Sequence, residues 1–244
     1  MEGTTTTDVV RCAALSRRFG EGPAAVDALR GVDLSFPRGQ LNGIVGPSGS
    51  GKSTLMHLLA GLDRPTSGHV WIDGTEITGL DDDALTQLRR DKLGFVFQFF
   101  NLVPVLDAEE NITLPLRIAG QKPDQAWVDS ILERVGIADR RSHRPAELSG
   151  GQQQRVAIAR ALISQPAVVF ADEPTGNLDS TASAQVLEML RGSVDELGGT
   201  VIMVTHDPRV AAYADRVLLL VDGQISSDAR VEGPEQVQQL MQAV

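Results

Sequence analysis

The chain has 244 residues, enough for a sizeable core in one α/β domain with a subdomain, and it carries 22 Lys and Arg against 32 Asp and Glu, a net charge of −10. That balance argues against non-specific nucleic-acid binding, which needs a basic surface. A single cysteine, Cys12, excludes an intrachain disulfide and fits a reducing compartment. No stretch approaches the ~20 apolar residues of a membrane span. The opening MEGTTTTDVV lacks the basic-then-apolar pattern of an export signal. Any membrane role is therefore expected to run through a partner.

Up to about residue 40, apolar and polar residues alternate, as at Val32, Leu34 and Phe36, the pattern of a half-exposed antiparallel sheet. Leu41–Val45 reads as a buried strand. Its Asn42-Gly43 pair would elsewhere signal a hairpin, but here the chain runs straight on into GPSGSGKST, Gly46–Thr54. Gly46, Gly49 and Gly51 permit backbone angles that other residues resist. Pro47, Ser48, Ser50 and Thr54 complete a loop whose amides can face phosphate oxygens. Lys52 is placed to reach the β- and γ-phosphates and the Ser53 hydroxyl to reach Mg²⁺. Leu55–Leu59 reads as the start of a helix, its positive end toward the anion. Val70–Ile72 with Asp73-Gly74 reads as a strand and turn joining the first sheet. Asp81, Asp82 and Asp83 mark a helix start, and Phe95–Phe97 reads as a strand before Gln98.

From about Phe99 to Gln165 the pattern turns helical, with Val128, Ile131, Leu132 and Val135 at helical spacing. Within this stretch lies LSGGQQQ, Leu148–Gln154, where Ser149 can cap a helix beginning near Gly151 or Gln152. Ala167–Ala171 is an apolar run suited to a strand buried on both faces. It leads to Asp172, placed to hold the Mg²⁺ shell, and to Glu173, placed to polarise an attacking water. Pro174 stops the strand. Val201–Val204 and Val217–Val221 continue the strand–helix alternation, Asp222-Gly223 reads as a closing hairpin, and Val237, Leu240, Met241 and Val244 as a short packing helix.

Together Gly46–Thr54, Leu148–Gln154 and VVFADEPTGNLD at Val168–Asp179 resemble the ATP-binding-cassette (ABC) ATPases over nearly the whole chain. The resemblance implies an α/β P-loop NTPase fold: a RecA-like core, an antiparallel β subdomain and a helical signature subdomain at about 99–165, all in one nucleotide-binding domain, 1–244. It implies ATP and Mg²⁺ as ligands. Ser149, Gly150, Gly151 and Gln152 would contact the γ-phosphate of ATP held by an opposite subunit. Gln98 would sense Mg²⁺ and the attacking water, His206 would bond the γ-phosphate, and Asp179 would communicate across a homodimer. Phe19 sits where the family has an aromatic ring stacking on adenine. His57, His69 and His143 match no motif and read as structural or solvated.

One cassette, a short stretch between Lys52 and Ser149, and no span of its own resemble the ATPase subunit of a multi-chain complex at the cytoplasmic face of a membrane. Phe99, Phe100, Leu102, Val103 and Leu106 fall where the family receives a permease helix. GFVFQFFNLVP and DEPTGNLD most resemble the macrolide-exporter, lipoprotein-release and cell-division ATPases. The resemblance leaves two expectations: ATP hydrolysis driving export or extraction through a permease, or gating of a cell-division or cell-wall-hydrolase partner without transport. A cassette without a membrane partner is a third, minor reading.

Overall fold

A computed structural model describes residues 8–242. The opening residues 1–7 and Val244, both used above, lie outside the described residues. In chain order the elements are β1 (Asp8–Phe19), β2 (Val26–Pro37), β3 (Leu41–Val45), α1 (Lys52–Leu59), β4 (Ser67–Ile72), β5 (Thr75–Glu76), α2 (Asp82–Lys92) and β6 (Leu93–Phe97). Then come α3 (Ala108–Ile118), α4 (Gln125–Arg134), α5 (Gly150–Leu162), β7 (Val168–Asp172), α6 (Ser180–Asp195), β8 (Val201–Val204), α7 (Pro208–Ala211), β9 (Arg216–Val221), β10 (Gln224–Arg230) and α8 (Pro234–Gln242). Among the described residues no helix is long and apolar enough to cross a membrane.

The strands form two sheets. One runs β2-β1-β4-β5 and is antiparallel throughout. The other runs β10-β9-β3-β8-β7-β6, with β9 through β6 parallel and β10 closing the edge antiparallel. β3 therefore lies inside the parallel sheet, and β7 is separated from it by one strand. The carboxyl ends of β3 and β7 thus face the same edge, where open α/β sheets bind their ligands.

Period-two alternation sorts the parallel strands onto two cores. Ile44, Phe170, Ile202, Val204 and Leu218 face a core shared with α1 and the antiparallel sheet. Val45, Val169, Ala171, Met203 and Leu219 face a second core with α6, α7 and Val237 of α8. Each such side chain, fully buried, contributes roughly 1.5–3 kcal/mol relative to exposure. A third core, with Ile112, Val128, Ile131 and Val156, binds α3, α4 and α5 together. α5 serves two cores: Val156 and Ala159 in the third, Ile158 and Ala161 in the second.

Several boundaries differ from the sequence reading. Asn42-Gly43 is indeed strand: Asn42 is fully buried, and a Cβ on Gly43 would already touch Ala214. α1 starts at Lys52 rather than Leu55. Its N-cap is Gly51, which has no side chain to cap with and leaves no polar signature. The strand predicted at 167–171 is shifted by one, so Asp172 is its last residue. Asp73-Gly74 and Asp222-Gly223 are tight turns whose two residues all have positive φ, as two-residue hairpins require.

Cys12 lies in β1, 3% exposed, its thiol 3.5 Å from the Val32 carbonyl. Burial pushes its pKa from 9.0 up to about 12. At pH 8 that leaves about a thousandfold less thiolate than in the unfolded chain. Iodoacetamide should therefore label native Cys12 at least about a thousandfold more slowly than the urea-unfolded chain, read by mass spectrometry. Comparable rates would contradict the burial.

Candidate active site

The loop between β3 and α1 is shaped by main-chain crowding. Gly46 has φ 153° and Gly51 has φ 103°. A Cβ on Gly46 would stand 2.1 Å from the Leu220 carbonyl oxygen, and one on Gly51 would stand 2.5 Å from that of Ala28. Neither contact is physically possible for a side chain. The loop is also pinned from outside: Arg30 N–H donates to the Gly223 carbonyl at 2.9 Å, and Gly223 N–H donates to that of Ser50 at 3.0 Å. β2 and the β9–β10 turn thus hold the loop from two sides.

The loop opens into a cleft of about 820 Å³. Gly46, Pro47, Ser48, Gly49, Gly51, Lys52, Ser53 and Thr54 line it, with Glu173 and His206. Ser50 is buried behind them. Lys52 Nζ donates to the Gly46 and Pro47 carbonyls at 2.9 and 2.8 Å. Burial lowers its pKa, and the charges of Glu173 and Asp172 oppose the shift. Ser53 Oγ is 3.5 Å from Asp172 Oδ1. Burial lifts the Asp172 carboxyl above its ordinary value; the charge of His57, one turn along α1 from Ser53, works against that.

Glu173 has φ 45°, a left-handed conformation that costs a non-glycine residue about 1–3 kcal/mol. Its N–H still donates to the Val204 carbonyl at 2.9 Å, anchoring the kink to β8. The carboxylate is held on both oxygens. Thr205 Oγ1 donates to Oε2 at 3.2 Å, and His206 Nδ1 lies 2.7 Å from Oε1. The carboxylate can only accept, so the proton sits on Nδ1 of His206.

The remaining predicted residues lie elsewhere. Gln98 follows β6 and bonds Asn177 twice, its Nε2 3.4 Å from Asn177 Oδ1 and its carbonyl accepting from Asn177 Nδ2 at 2.9 Å. Ser149 caps α5, which begins at Gly150, one residue earlier than its sequence suggests, and Gln152 returns a bond to complete a capping box. Asp179 caps α6 by accepting from Ala182 N–H at 2.9 Å. Ser149, Gly150, Gly151, Gln152 and Asp179 do not line the cleft. Phe19 ends β1, 43% exposed and paired with Val26. Val26 lines the cleft, Phe19 does not, and the Arg17 guanidinium lies 4.6 Å from the Phe19 ring centre. Of the run after Gln98, Phe99 is 73% exposed, whereas Leu102 packs on the third core. Val105 and Ile118 extend the exposed apolar set, and Ile118 lines a groove of about 440 Å³ with Phe95, Phe97 and Leu114.

Three supporting residues are given no role by the sequence reading. Gln154, fully buried in α5, donates to the Phe97 and Pro174 carbonyls at 3.3 and 2.5 Å, tying α5 to the ends of β6 and β7. Asn111, also fully buried, bonds the backbone of Val103, Leu106 and Asp107 and fixes the segment after Gln98. Thr205 steers Glu173. The repeated glutamines after the signature give a signal for Gln154; the other two have none, because their partners are distant or main-chain.

The ABC transporter family model matches residues 29–176. The chain belongs to this family. It is 47% identical over 222 residues to the macrolide export ATP-binding/permease protein MacB of Marinobacter nauticus, covering 90% of this chain and 34% of that protein. It is 46% identical over 216 residues to the lipoprotein-releasing system ATP-binding protein LolD of Geobacter metallireducens, covering 88% of this chain and 96% of that one. The chain thus spans about a third of the MacB relatives and nearly all of LolD. Among solved structures, the dimeric post-hydrolysis state of the cassette MJ0796 bound to ADP and Pi superposes with TM-score 0.83 at 40% identity, covering 92% of this chain and 99% of that one.

Gly46→Ala should cost at least about 3 kcal/mol, because the new Cβ must displace the β9 main chain. Urea unfolding measures this, and a loss under about 1 kcal/mol would mean that the loop yields freely.

Proposed function

We propose that this chain, one nucleotide-binding domain with a helical subdomain at about 99–165, is the ATP-hydrolysing subunit of a membrane export complex. It works as a nucleotide-sandwich homodimer at the cytoplasmic face and acts through a separate permease. The observation that carries this reading is a division of parts. The cleft holds the cradle, Glu173 and His206, but the signature residues Ser149–Gln152 stand on α5 outside it. A second copy is needed to bring them to the nucleotide, and the MJ0796 cassettes that this chain resembles are dimeric.

The cleft suits ATP chemically. The loop amides and the α1 N-terminus offer a positive cradle, and Lys52, now bonded to two loop carbonyls, has polar partners to exchange for phosphate oxygens. Ser53 and Asp172 supply hard oxygen donors suited to Mg²⁺, which keeps most of its shell as water and phosphate. Bound there, Mg²⁺ would neutralise charge on the phosphates, and Gln98 would reach that shell. Glu173, oriented by Thr205, is the general base for the attacking water. His206 would give a ring N–H to an oxygen of the γ-phosphate. Phe19, beside Val26, would stack on the adenine. Ser149, Gly150, Gly151 and Gln152 of the second copy close the site, and Asp179 tells one site of the other. Phosphoryl transfer needs mainly positioning and charge stabilisation, and closure supplies both.

The relatives' names include macrolide export and lipoprotein release. Both support export over gating without transport, and no observation favours the gating alternative. The groove beside Ile118 is the proposed seat of the permease helix.

Glu173→Gln should keep ATP affinity, cut turnover at least about 100-fold and shift the chain to dimer in ATP-Mg on a sizing column. Turnover near wild type would remove Glu173 from the general-base role. Ile118→Asp should leave nucleotide binding intact but abolish co-purification of a multi-span membrane partner; undiminished recovery would place that contact elsewhere.

A further inference from the structure

Opposite the nucleotide edge, a cavity of about 540 Å³ opens at the amino-terminal ends of β6, β7 and β8. It shares no lining residue with the ATP cleft. Its apolar wall comes from Trp127 of α4, Leu162 at the end of α5 and Leu197 beyond α6. Trp127 is held in place, its Nε1 donating to the Ile163 carbonyl at 2.9 Å. Leu197 is 38% exposed, a large apolar side chain left at a concave rim. A second crevice of about 350 Å³ between α4 and α6 shares Leu162 and Leu197, so the apolar wall continues around α6.

The polar side of the cavity carries two cations, Arg38 and Lys92, and two carboxylates, Asp73 and Asp91. Lys92 Nζ lies 2.7 Å from Asp73 Oδ2, and Arg38 pairs with the same carboxylate. Asp91, also on the lining, is held in a two-pronged bond by Arg90, Nε–Oδ1 2.7 Å and Nη2–Oδ2 3.2 Å. Two cations thus share one carboxylate while Arg90, from outside the lining, neutralises Asp91, so three cations stand against two carboxylates at this rim of a chain of net charge −10. Volume, a fixed aromatic wall and a few convergent polar groups are the features of small-molecule sites.

We propose that this cavity binds a small organic anion with an aromatic or branched apolar body. The acid group sits on Lys92 and Arg38, and the body lies between Trp127, Leu162 and Leu197. The volume fits a molecule of a few rings rather than a helix or a second chain. The binding does not depend on ATP chemistry. It would nevertheless bear on α5, whose last residue forms part of the wall and whose first turn carries the signature.

The probe is 1-anilinonaphthalene-8-sulfonate, an aromatic anion, titrated into the full chain with energy transfer from tryptophan as the signal. Saturable binding is expected, with transfer reduced in Trp127→Phe, the remainder coming from Trp71, two residues from Asp73. Lys92→Met and Leu197→Glu should each weaken binding about tenfold or more. Saturating ATP-Mg and Ile118→Asp should leave the probe bound. No saturable binding up to about millimolar probe would overturn the proposal, as would unchanged affinity in Lys92→Met, a variant at an exposed position that keeps the fold. Competition by ATP would assign the probe to the nucleotide cleft, and loss in Ile118→Asp would assign it to the α3 groove; either result also overturns it.

Discussion

The absence of room beside Gly46 and Gly51 governs everything else at this edge of the molecule. Two carbonyl oxygens, of Leu220 and Ala28, stand where side chains would begin. The loop can therefore approach the main chain of β9 and β2 only as glycine. In exchange the loop becomes part of both sheets: Ser50, Gly223 and Arg30 form a continuous main-chain relay from the cradle to the antiparallel sheet. A phosphate cradle made of backbone amides is only as precise as the backbone is fixed, and here it is fixed from two directions. The buried faces of β3 and α1 anchor both ends of the loop.

The carboxylates show the same logic with side chains. Asp172 is the last strand residue and is desolvated, so its charged form is disfavoured until a cation approaches. Glu173, one residue on, has left the strand by a strained turn and is gripped on both oxygens by Thr205 and His206. One neighbour is thus suited to a metal shell and the other to a water, although they are adjacent in sequence. The difference comes from the backbone kink between them. Strain of this kind persists because β8 accepts the Glu173 N–H and the surrounding core is fully buried.

The sequence was most legible where chemistry and periodicity are local. Leu41–Val45 and Val201–Val204 coincide with observed strands because every residue in them is buried: Val201–Val204 is apolar throughout, and Leu41, Ile44 and Val45 frame the Asn42-Gly43 pair. Ser149 was readable as a cap because capping is a contact within four residues. The α1 start was not, because its cap is a bare glycine. The apolar run after Gln98 was only half legible: Phe99 and Leu102 look alike in sequence, and only the third core decides which is covered. Asn111 and Thr205 were illegible for a deeper reason. Each is a polar residue whose partners leave no sequence pattern, main-chain groups four to eight residues back for Asn111 and a carboxylate 32 residues away for Thr205, and a buried polar group left unpaired costs about 1–3 kcal/mol.

α5 is where these strands of the fold meet. One end carries the signature, where the Ser149 hydroxyl accepts from the Gln152 N–H and caps the helix. Midway, Gln154 bonds the carbonyls of Phe97 and Pro174, the residues flanking Gln98 and Glu173. The far end, Leu162, packs on both the second and the third core. A rigid rod of this kind cannot tilt without disturbing those two carbonyl bonds. The capped first turn of α5 and the strand ends that carry Gln98 and Glu173 are therefore mechanically one unit. Because protein interiors are close-packed and yield little to smooth deformation, any shift of the helical region against the parallel sheet must be felt at Gln98 and Glu173 together. That is the property a nucleotide-driven lever requires.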